Sequence, residues 1–168
     1  FEEHYQVPII ETMGMTETAG QIFSNPLPPA ERKPGAVGLP IGFDVRLVDE
    51  EEHVVEAEYV VGEIQVRGAA VMPNYLDDME ETGRAFSDNW LKSGDLAERD
   101  SDGFYRIKGR KKDIAIFAGI NISLRALEAE IQERGIVRDV ACVGMEHNIL
   151  GEAVEVYAVL NHTETDTS

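Results

Sequence analysis

Short segments in which apolar and polar residues alternate place the strongest limit on the fold of this chain. Phe43 to Val48 and Gly62 to Arg67 both show this period-two pattern, which is typical of strands with one buried face. The charged turn Asp49 to Glu52 lies between them, and Phe104 to Lys108 follows the turn-forming sequence Asp100 to Gly103. Such short strands, separated by glycine and aspartate, predict a small antiparallel β-barrel or sheet.

A helical pattern in the last third of the chain indicates a mixed fold class. Ser123 is a favourable N-cap, and Gly135 is a residue typical of the position just after a helix. An apolar segment at 114–117 precedes this helix, and apolar strands at Val137 to Val143 and Ala153 to Leu160 follow it. The residues expected on the buried face of the helix are Leu124, Leu127 and Ile131. We therefore predict an α+β fold, in which a small βαββ subdomain follows the antiparallel β subdomain.

Composition limits the kinds of partner that the chain can bind. With 32 acidic and 15 basic residues, the net charge is -17, which disfavours binding to nucleic acid or to an anionic membrane surface. The sequence has no apolar run long enough to span a bilayer. A single cysteine, Cys142, excludes an internal disulfide, so we expect a reducing compartment and a cytoplasmic location.

Two segments of the sequence favour irregular structure. Asn25 to Pro40 contains five of the seven prolines. This predicts a surface loop, because proline has no backbone N–H to donate to the hydrogen bonds of a helix or a central strand. His162 to Ser168 is polar and predicts a frayed tail.

Three separate turns carry side chains suited to a nucleotide. Thr16 and Glu17 are adjacent, so that a hydroxyl could donate to a phosphoryl oxygen while a carboxylate holds magnesium. Asp95 follows a glycine, and its two carboxylate oxygens suit the paired hydroxyls of a ribose. Arg110 adds a fork of donors for ribose or phosphate oxygens. Taken singly, each also fits an ordinary turn, with Asp95 bonding its own backbone and Glu17 solvated.

Five segments, in their order and spacing, resemble the adenylate-forming superfamily, which includes acyl-CoA synthetases, aryl-CoA ligases, luciferases and the adenylation domains of peptide synthetases. They are Met13-Gly14-Met15-Thr16-Glu17, Gly62 to Gly68, Trp90 to Asp95, Asp102-Gly103-Phe104-Tyr105 and Gly109-Arg110. The resemblance covers nearly the whole chain. It implies that residues 1–109 end a large N-terminal AMP-binding domain and that 110–168 start a mobile, truncated C-terminal domain. Because the family's upstream phosphate loop and its C-terminal lysine are not in the sequence, we expect a fragment of a longer enzyme.

The resemblance also implies roles for individual residues. Thr16 would bond a phosphate and Glu17 would hold magnesium, and these two are the expected catalytic residues. Met13 and Gly14 would border the adenine and the acyl group. Met13 departs from the family, which usually has an aromatic residue there to stack on the base.

The remaining expected site residues concern the ribose, the hinge between the domains and the path of the CoA thiol. The resemblance implies that Asp95 and Arg110 hold the ribose, that Lys112 is a hinge and that Gly119 lines the CoA tunnel. The segment Ala118 to Asn121 stands where the family usually has Gly-Gly-Glu-Asn. Loss of one glycine puts the tunnel in question, because a thin ligand needs a backbone without side chains beside it.

The implied chemistry is an ATP-dependent activation of a carboxylic acid. The acid attacks the α-phosphorus of ATP, pyrophosphate leaves, and magnesium neutralises the charge on the phosphoryl oxygens. CoA then displaces AMP from the acyl-adenylate after the C-terminal domain rotates. The expected cofactors are ATP/AMP, Mg²⁺ and CoA, and the fragment alone is expected to be inactive. Two alternatives stay open: an amino-acid-activating adenylation domain, and a non-catalytic binding module.

Overall fold

The chain folds into two compact units, Phe1–Lys108 and Gly109–Ser168. The structure is a computed structural model that describes residues 1–149 and 151–161, so the predicted tail His162 to Ser168 lies outside the described residues. Among the described residues, no helix has the length and apolar character needed to cross a membrane. The α+β fold class predicted from the sequence is confirmed.

The first unit is built mainly of antiparallel strands. In chain order its elements are helix α1 (Glu2–Tyr5), strand β1 (Thr12–Met15), a short 3-10 helix (Thr16–Thr18), β2 (Gly20–Ser24), β3 (Leu39–Pro40), β4 (Asp44–Val48), β5 (Gly62–Arg67), helix α2 (Met79–Ala85), β6 (Phe86–Ser87), β7 (Trp90–Arg99) and the start of β8 (Tyr105–Arg110). One sheet has the order β1-β2-β3. The other has the order β4-β5-β7-β6, with β8 beside β7.

The two sheets of the first unit share one apolar core. Ile22 and Phe23 from β2 are buried together with Ile64 and Val66 from β5 and Leu91 from β7. The predicted strands β4 and β5 form, and Val45 pairs with Val66 and Leu47 with Ile64 across the ladder. The prediction of one buried face is wrong for β5, because Glu63 and Gln65 are buried as well as Ile64 and Val66. Burial of these aliphatic and aromatic side chains is the main stabilising contribution to such a unit.

The proline-rich segment Asn25 to Pro40 is only partly the surface loop that was expected. Asn25 is buried, and its side-chain amide donates to the carbonyl oxygen of Ala36 at 2.6 Å and accepts from the backbone N–H of Lys33 at 3.0 Å. These bonds close the segment on itself. It ends in β3, where Pro40 is tolerated because β3 is an edge strand.

The second unit combines one sheet with one helix. Its elements are a 3-10 helix (Lys111–Asp113), β9 (Ile114–Phe117), β10 (Ile120–Ser123), α3 (Leu124–Glu133), β11 (Val137–His147) and β12 (Gly151–Leu160). The sheet order is β10-β9-β12-β11, and all neighbours are antiparallel. The unit is therefore ββαββ, with one strand more than the predicted βαββ order. Its buried core contains Ala115, Leu124 and Cys142.

Helix α3 begins and ends where the sequence predicts. The hydroxyl oxygen of Ser123 accepts the backbone N–H of Ala126, which satisfies one of the unpaired amides at the helix start. Gly135 follows the last turn with φ 70°, a left-handed conformation that glycine adopts without strain. Leu127 and Ile131 pack on the core as expected.

Candidate nucleotide and magnesium site

The turn that carries Thr16 and Glu17 is fixed by a close approach of two strands. β1 and β2 are antiparallel, and their register shifts between Met13 and Gly14. A Cβ atom on Gly14 would lie 2.2 Å from the carbonyl oxygen of Gly20, far inside van der Waals contact. Only glycine fits at this position without displacing the backbone of β2, so the glycine of the predicted motif has a direct steric reason.

Thr18 holds the turn closed from inside. Its side chain is buried, and its hydroxyl oxygen lies 2.9 Å from the carbonyl oxygen of Met15 and 2.8 Å from that of Gly20. Ala19 closes the turn with φ 54°, and its N–H donates to the carbonyl oxygen of Thr16. Thr18 lies in the same Thr-Glu-Thr run, but no sequence motif predicts this closing role for it.

Thr16 and Glu17 differ in how tightly the fold holds them. Thr16 is exposed, whereas Glu17 is half-buried. The backbone carbonyl of Glu17 accepts the N–H of Met72 at 2.7 Å, and one carboxylate oxygen, Oε1, accepts the phenol of Tyr75 at 2.9 Å. Desolvation and this hydrogen bond both raise the pKa of Tyr75, so its hydroxyl remains a donor. Met13 packs against the core beneath the turn.

Asp95 lies in a bulge within a continuous strand, which corrects the prediction of a separate turn at Trp90 to Asp95. Strand β7 runs through this point, and its register with β5 shifts between Glu63 and Gln65. Gly94 has φ 73°, and its N–H donates to the carboxylate of the buried Glu63 at 3.2 Å. A bulge of this kind redirects the side chain that follows it, and here that side chain is Asp95.

The backbone N–H of Asp95 donates to the hydroxyl oxygen of Ser93 at 3.0 Å. In this bond the side chain belongs to Ser93, so it is not the bond from the Asp95 side chain that the ordinary turn interpretation predicts. The side chain of Asp95 is half-buried.

The other expected site residues belong to the second unit. Arg110 is the last residue of β8, and the exposed Lys112 lies in the 3-10 helix that follows. Gly119, expected in a tunnel loop, lies with Ala118 in the two-residue turn between β9 and β10. The structure therefore places Met13 and Gly14 in β1, which ends directly before Thr16 and Glu17 in the turn, and it places Asp95 in the other sheet of the same unit. The grouping of these residues with Arg110, Lys112 and Gly119 stays a prediction.

The sequence of the first unit matches a known protein family. A family model described as AMP-binding enzyme matches residues 1–76, a range that contains the whole β1–β2 turn and Tyr75. Residues 1–76 are thus similar in sequence to the AMP-binding enzyme family.

Relatives and solved structures extend the match to almost the full chain. Sulfoacetate–CoA ligase from Cupriavidus necator is 38% identical over 161 residues, which are 95% of this chain and 31% of that protein. A long-chain-fatty-acid–CoA ligase from Yersinia pestis is 36% identical over 154 residues, which are 91% of this chain and 27% of that protein. The chain thus spans about a third or less of the length of these relatives.

Among solved structures, o-succinylbenzoate coenzyme A synthetase from Bacillus subtilis in complex with ATP and magnesium ion superimposes with a TM-score of 0.73 and 29% identity. The match covers 96% of this chain and 34% of that one. The similarity therefore includes the fold of this region, and the solved protein binds both ATP and magnesium.

Proposed function

We propose that this chain is part of an ATP-dependent acid:CoA ligase that activates a carboxylic acid as its acyl-adenylate, releases pyrophosphate and transfers the acyl group to CoA. The observation that carries the proposal is the β1–β2 turn, in which a side-chain hydroxyl and an anchored carboxylate stand side by side on a backbone that only glycine at position 14 permits. The match of residues 1–76 to the AMP-binding enzyme family and the names of the CoA-ligase relatives support the same reaction.

Within this proposal, Thr16 and Glu17 are the catalytic residues. The exposed hydroxyl of Thr16 donates to a phosphoryl oxygen of ATP, and the carboxylate of Glu17 holds Mg²⁺. Both are hard oxygen donors, the type that magnesium prefers, so the donor set of the turn fits this ion. When bound, Mg²⁺ neutralises negative charge on the phosphoryl oxygens. The contribution of the protein is position and electrostatics, with no proton transfer assigned to either residue.

The remaining roles follow the same proposal. Met13 and Gly14 border the adenine and the acyl group, and Asp95 accepts hydrogen bonds from the ribose hydroxyls, a role that the bulge at Gly94 supports by redirecting its side chain. Arg110 donates to the ribose, Lys112 serves as a hinge, and Gly119 borders the path of the CoA thiol. Hinge positions absorb backbone rotation and need no particular side chain, which suits the exposed Lys112.

The proposal is tested by product formation with a panel of carboxylic acids that includes sulfoacetate, long-chain fatty acids and amino acids. We expect the parent enzyme to release pyrophosphate with one class of non-amino carboxylic acid and to form AMP in a CoA-dependent manner. We expect no turnover above background from the 168-residue chain alone. Amino-acid-dependent pyrophosphate release without any need for CoA would contradict the ligase and support an amino-acid-activating domain. Binding of ATP by the parent protein without formation of any product would support a non-catalytic module.

A further inference from the structure

A phenol from a distant part of the sequence contacts the carboxylate of Glu17. The hydroxyl of Tyr75 donates to Oε1 of Glu17 at 2.9 Å, across a separation of 58 residues. Both side chains are half-buried, so water competes for this bond less than it would on an open surface.

The segment that carries Tyr75 is tied to the turn at a second point. The backbone N–H of Met72 donates to the carbonyl oxygen of Glu17 at 2.7 Å. Val71 and Met72 also pack against the core of the first unit. Glu17 is thus held through its backbone by one residue of this segment and through its side chain by another.

Tyr75 is itself held by the start of helix α2. Its backbone N–H donates to the hydroxyl oxygen of Thr82 at 2.9 Å, and it forms an isolated β-bridge with Asp78. Asp78 caps the helix by accepting the N–H of Glu81 at 2.9 Å. These contacts fix the backbone from which the phenol extends, so the hydroxyl of Tyr75 has a defined position relative to Glu17.

We propose that Tyr75 is a positioning residue for Glu17. Its phenol occupies Oε1 of Glu17 and leaves Oε2 as the single carboxylate oxygen that contacts the metal. Mg²⁺ prefers six-coordinate geometry, keeps several of its waters and takes few carboxylate oxygens from protein, so a one-oxygen contact suits it. A glutamate side chain has several rotatable bonds, and fixing it before the metal arrives lowers the entropy cost of binding. Hydrogen-bond partners of metal-ligating side chains commonly act in this way.

The identity of the metal as the Mg²⁺ that accompanies ATP rests on the proposed function, whereas the orientation of Glu17 by Tyr75 does not. A direct test therefore uses the metal alone. The 168-residue chain, labelled with ¹⁵N, is titrated with Mn²⁺, and broadening of the amide signals of residues 14–18 is followed. Broadening falls steeply with distance from Mn²⁺, and the Glu17→Gln variant identifies the part of it that depends on metal bound at Glu17.

We expect Tyr75→Phe to raise the Mn²⁺ concentration for half-maximal broadening at residues 14–18 by about tenfold. Glu17→Gln should abolish the broadening. Tyr59→Phe is the matched control, because it removes a phenol that lies near Ser101 in the same unit, and it should leave the titration unchanged. A wild-type titration for Tyr75→Phe, or no broadening of these signals in the unmodified chain, would overturn the proposal.

The parent enzyme provides a second readout that a purely structural role would not produce. Tyr75→Phe should raise the Mg²⁺ concentration needed for half-maximal pyrophosphate release by about tenfold and leave the rate at saturating Mg²⁺ within about twofold of the wild type. An equal loss of rate at every Mg²⁺ concentration would contradict positioning. If the parent enzyme forms no acyl-adenylate while Tyr75→Phe still weakens Mn²⁺ binding, the proposed function fails and this inference stands.

Discussion

Ala118 adopts a backbone conformation that is costly for any residue with a Cβ atom. It has φ 49°, and Gly119 beside it has φ 81°, so both residues of the β9–β10 turn are left-handed. This is the geometry of a tight hairpin turn that usually contains asparagine or glycine at its first position. The fold of the second unit therefore carries local strain at Ala118 that glycine would relieve.

We predict that Ala118→Gly stabilises the second unit by about 0.5–1 kcal/mol, because a left-handed non-glycine residue costs about 1–2 kcal/mol and the greater freedom of glycine in the unfolded chain cancels part of the gain. The measurement is urea unfolding monitored by the thiol labelling of Cys142, which is buried in the core of this unit. Ala126→Gly in helix α3 is the control and should destabilise by about 1 kcal/mol. Destabilisation by Ala118→Gly would contradict the turn geometry.

At the residue scale, the sequence predicted Gly14, Thr16, Glu17 and Asp95 as site residues, because each stands in a short sequence pattern with a known chemical use. It did not identify Tyr75, whose contact with Glu17 depends on how the fold brings residues 58 apart together. No local pattern encodes that distance. The assignment of metal and nucleotide to these residues remains a prediction.

At the scale of elements, an ion pair joins the proline-rich segment to the turn between β7 and β8. The ammonium of Lys33 donates to Asp100 at 2.7 Å and to Asp102 at 2.6 Å. The side chain of Asp100 is 5% exposed, and its other oxygen accepts the backbone N–H groups of Asp102 and Phe104 at 3.0 Å each. Lys33 also lies 4.8 Å from the ring centre of Phe104. These contacts fix the segment in place beside the hairpin.

The same contacts make the stability of the first unit depend on pH. Burial by itself would raise the pKa of Asp100, but hydrogen bonds from Lys33 and from the backbone N–H groups of Phe104 and Asp102 outweigh it, so the pKa is lowered. A lowered pKa in the folded state means that the ionised Asp100 contributes stability above the ordinary aspartate pKa of about 3.9. That contribution is lost as pH falls below this value and through the lowered pKa of the folded state.

We therefore predict that Asp100→Asn is less stable than the wild type at pH 7 and that the difference in melting temperature shrinks as pH falls below about 3.9. Asparagine can still accept the two backbone N–H groups through its amide oxygen, so this variant removes mainly the charge. Asp100→Ala removes those bonds as well and should cost about 1–3 kcal/mol more. A difference between wild type and Asp100→Asn that stays constant from pH 7 to pH 2 would contradict the lowered pKa.

Element prediction from sequence succeeded where start and stop signals were strong. Helix α3 is confirmed by its cap at Ser123, its end at Gly135 and its apolar face. Strand β10 was missed because the turn before it, Ala118-Gly119, lacks the usual first residue of a two-residue hairpin. Strand β7 was missed because Gly94 is typical of a turn, whereas in the fold Gly94 lies in a bulge that the buried Glu63 holds.

At the scale of the whole molecule, the chain forms two units, and the candidate residues are divided between them. The β1–β2 turn and Asp95 belong to Phe1–Lys108, while Arg110, Lys112 and Gly119 belong to Gly109–Ser168. The sequence placed a boundary after residue 109, and its assignment to the end of one domain and the start of a mobile one stays a prediction. The central claim depends on the first unit, because it carries both proposed catalytic residues.

The most direct test of that claim is the rate of carboxylate-dependent pyrophosphate release by the parent enzyme with Glu17→Gln, at saturating ATP and Mg²⁺. Glutamine keeps the size of the side chain and an acceptor for Tyr75 but removes the charge that holds the metal. We predict a fall of at least about a hundredfold, comparable to the loss of a single electrostatic group that stabilises a transition state. Glu31→Gln, at an exposed glutamate in the proline-rich segment, should retain the wild-type rate. An unchanged rate for Glu17→Gln would remove Glu17 from the magnesium site and contradict the account.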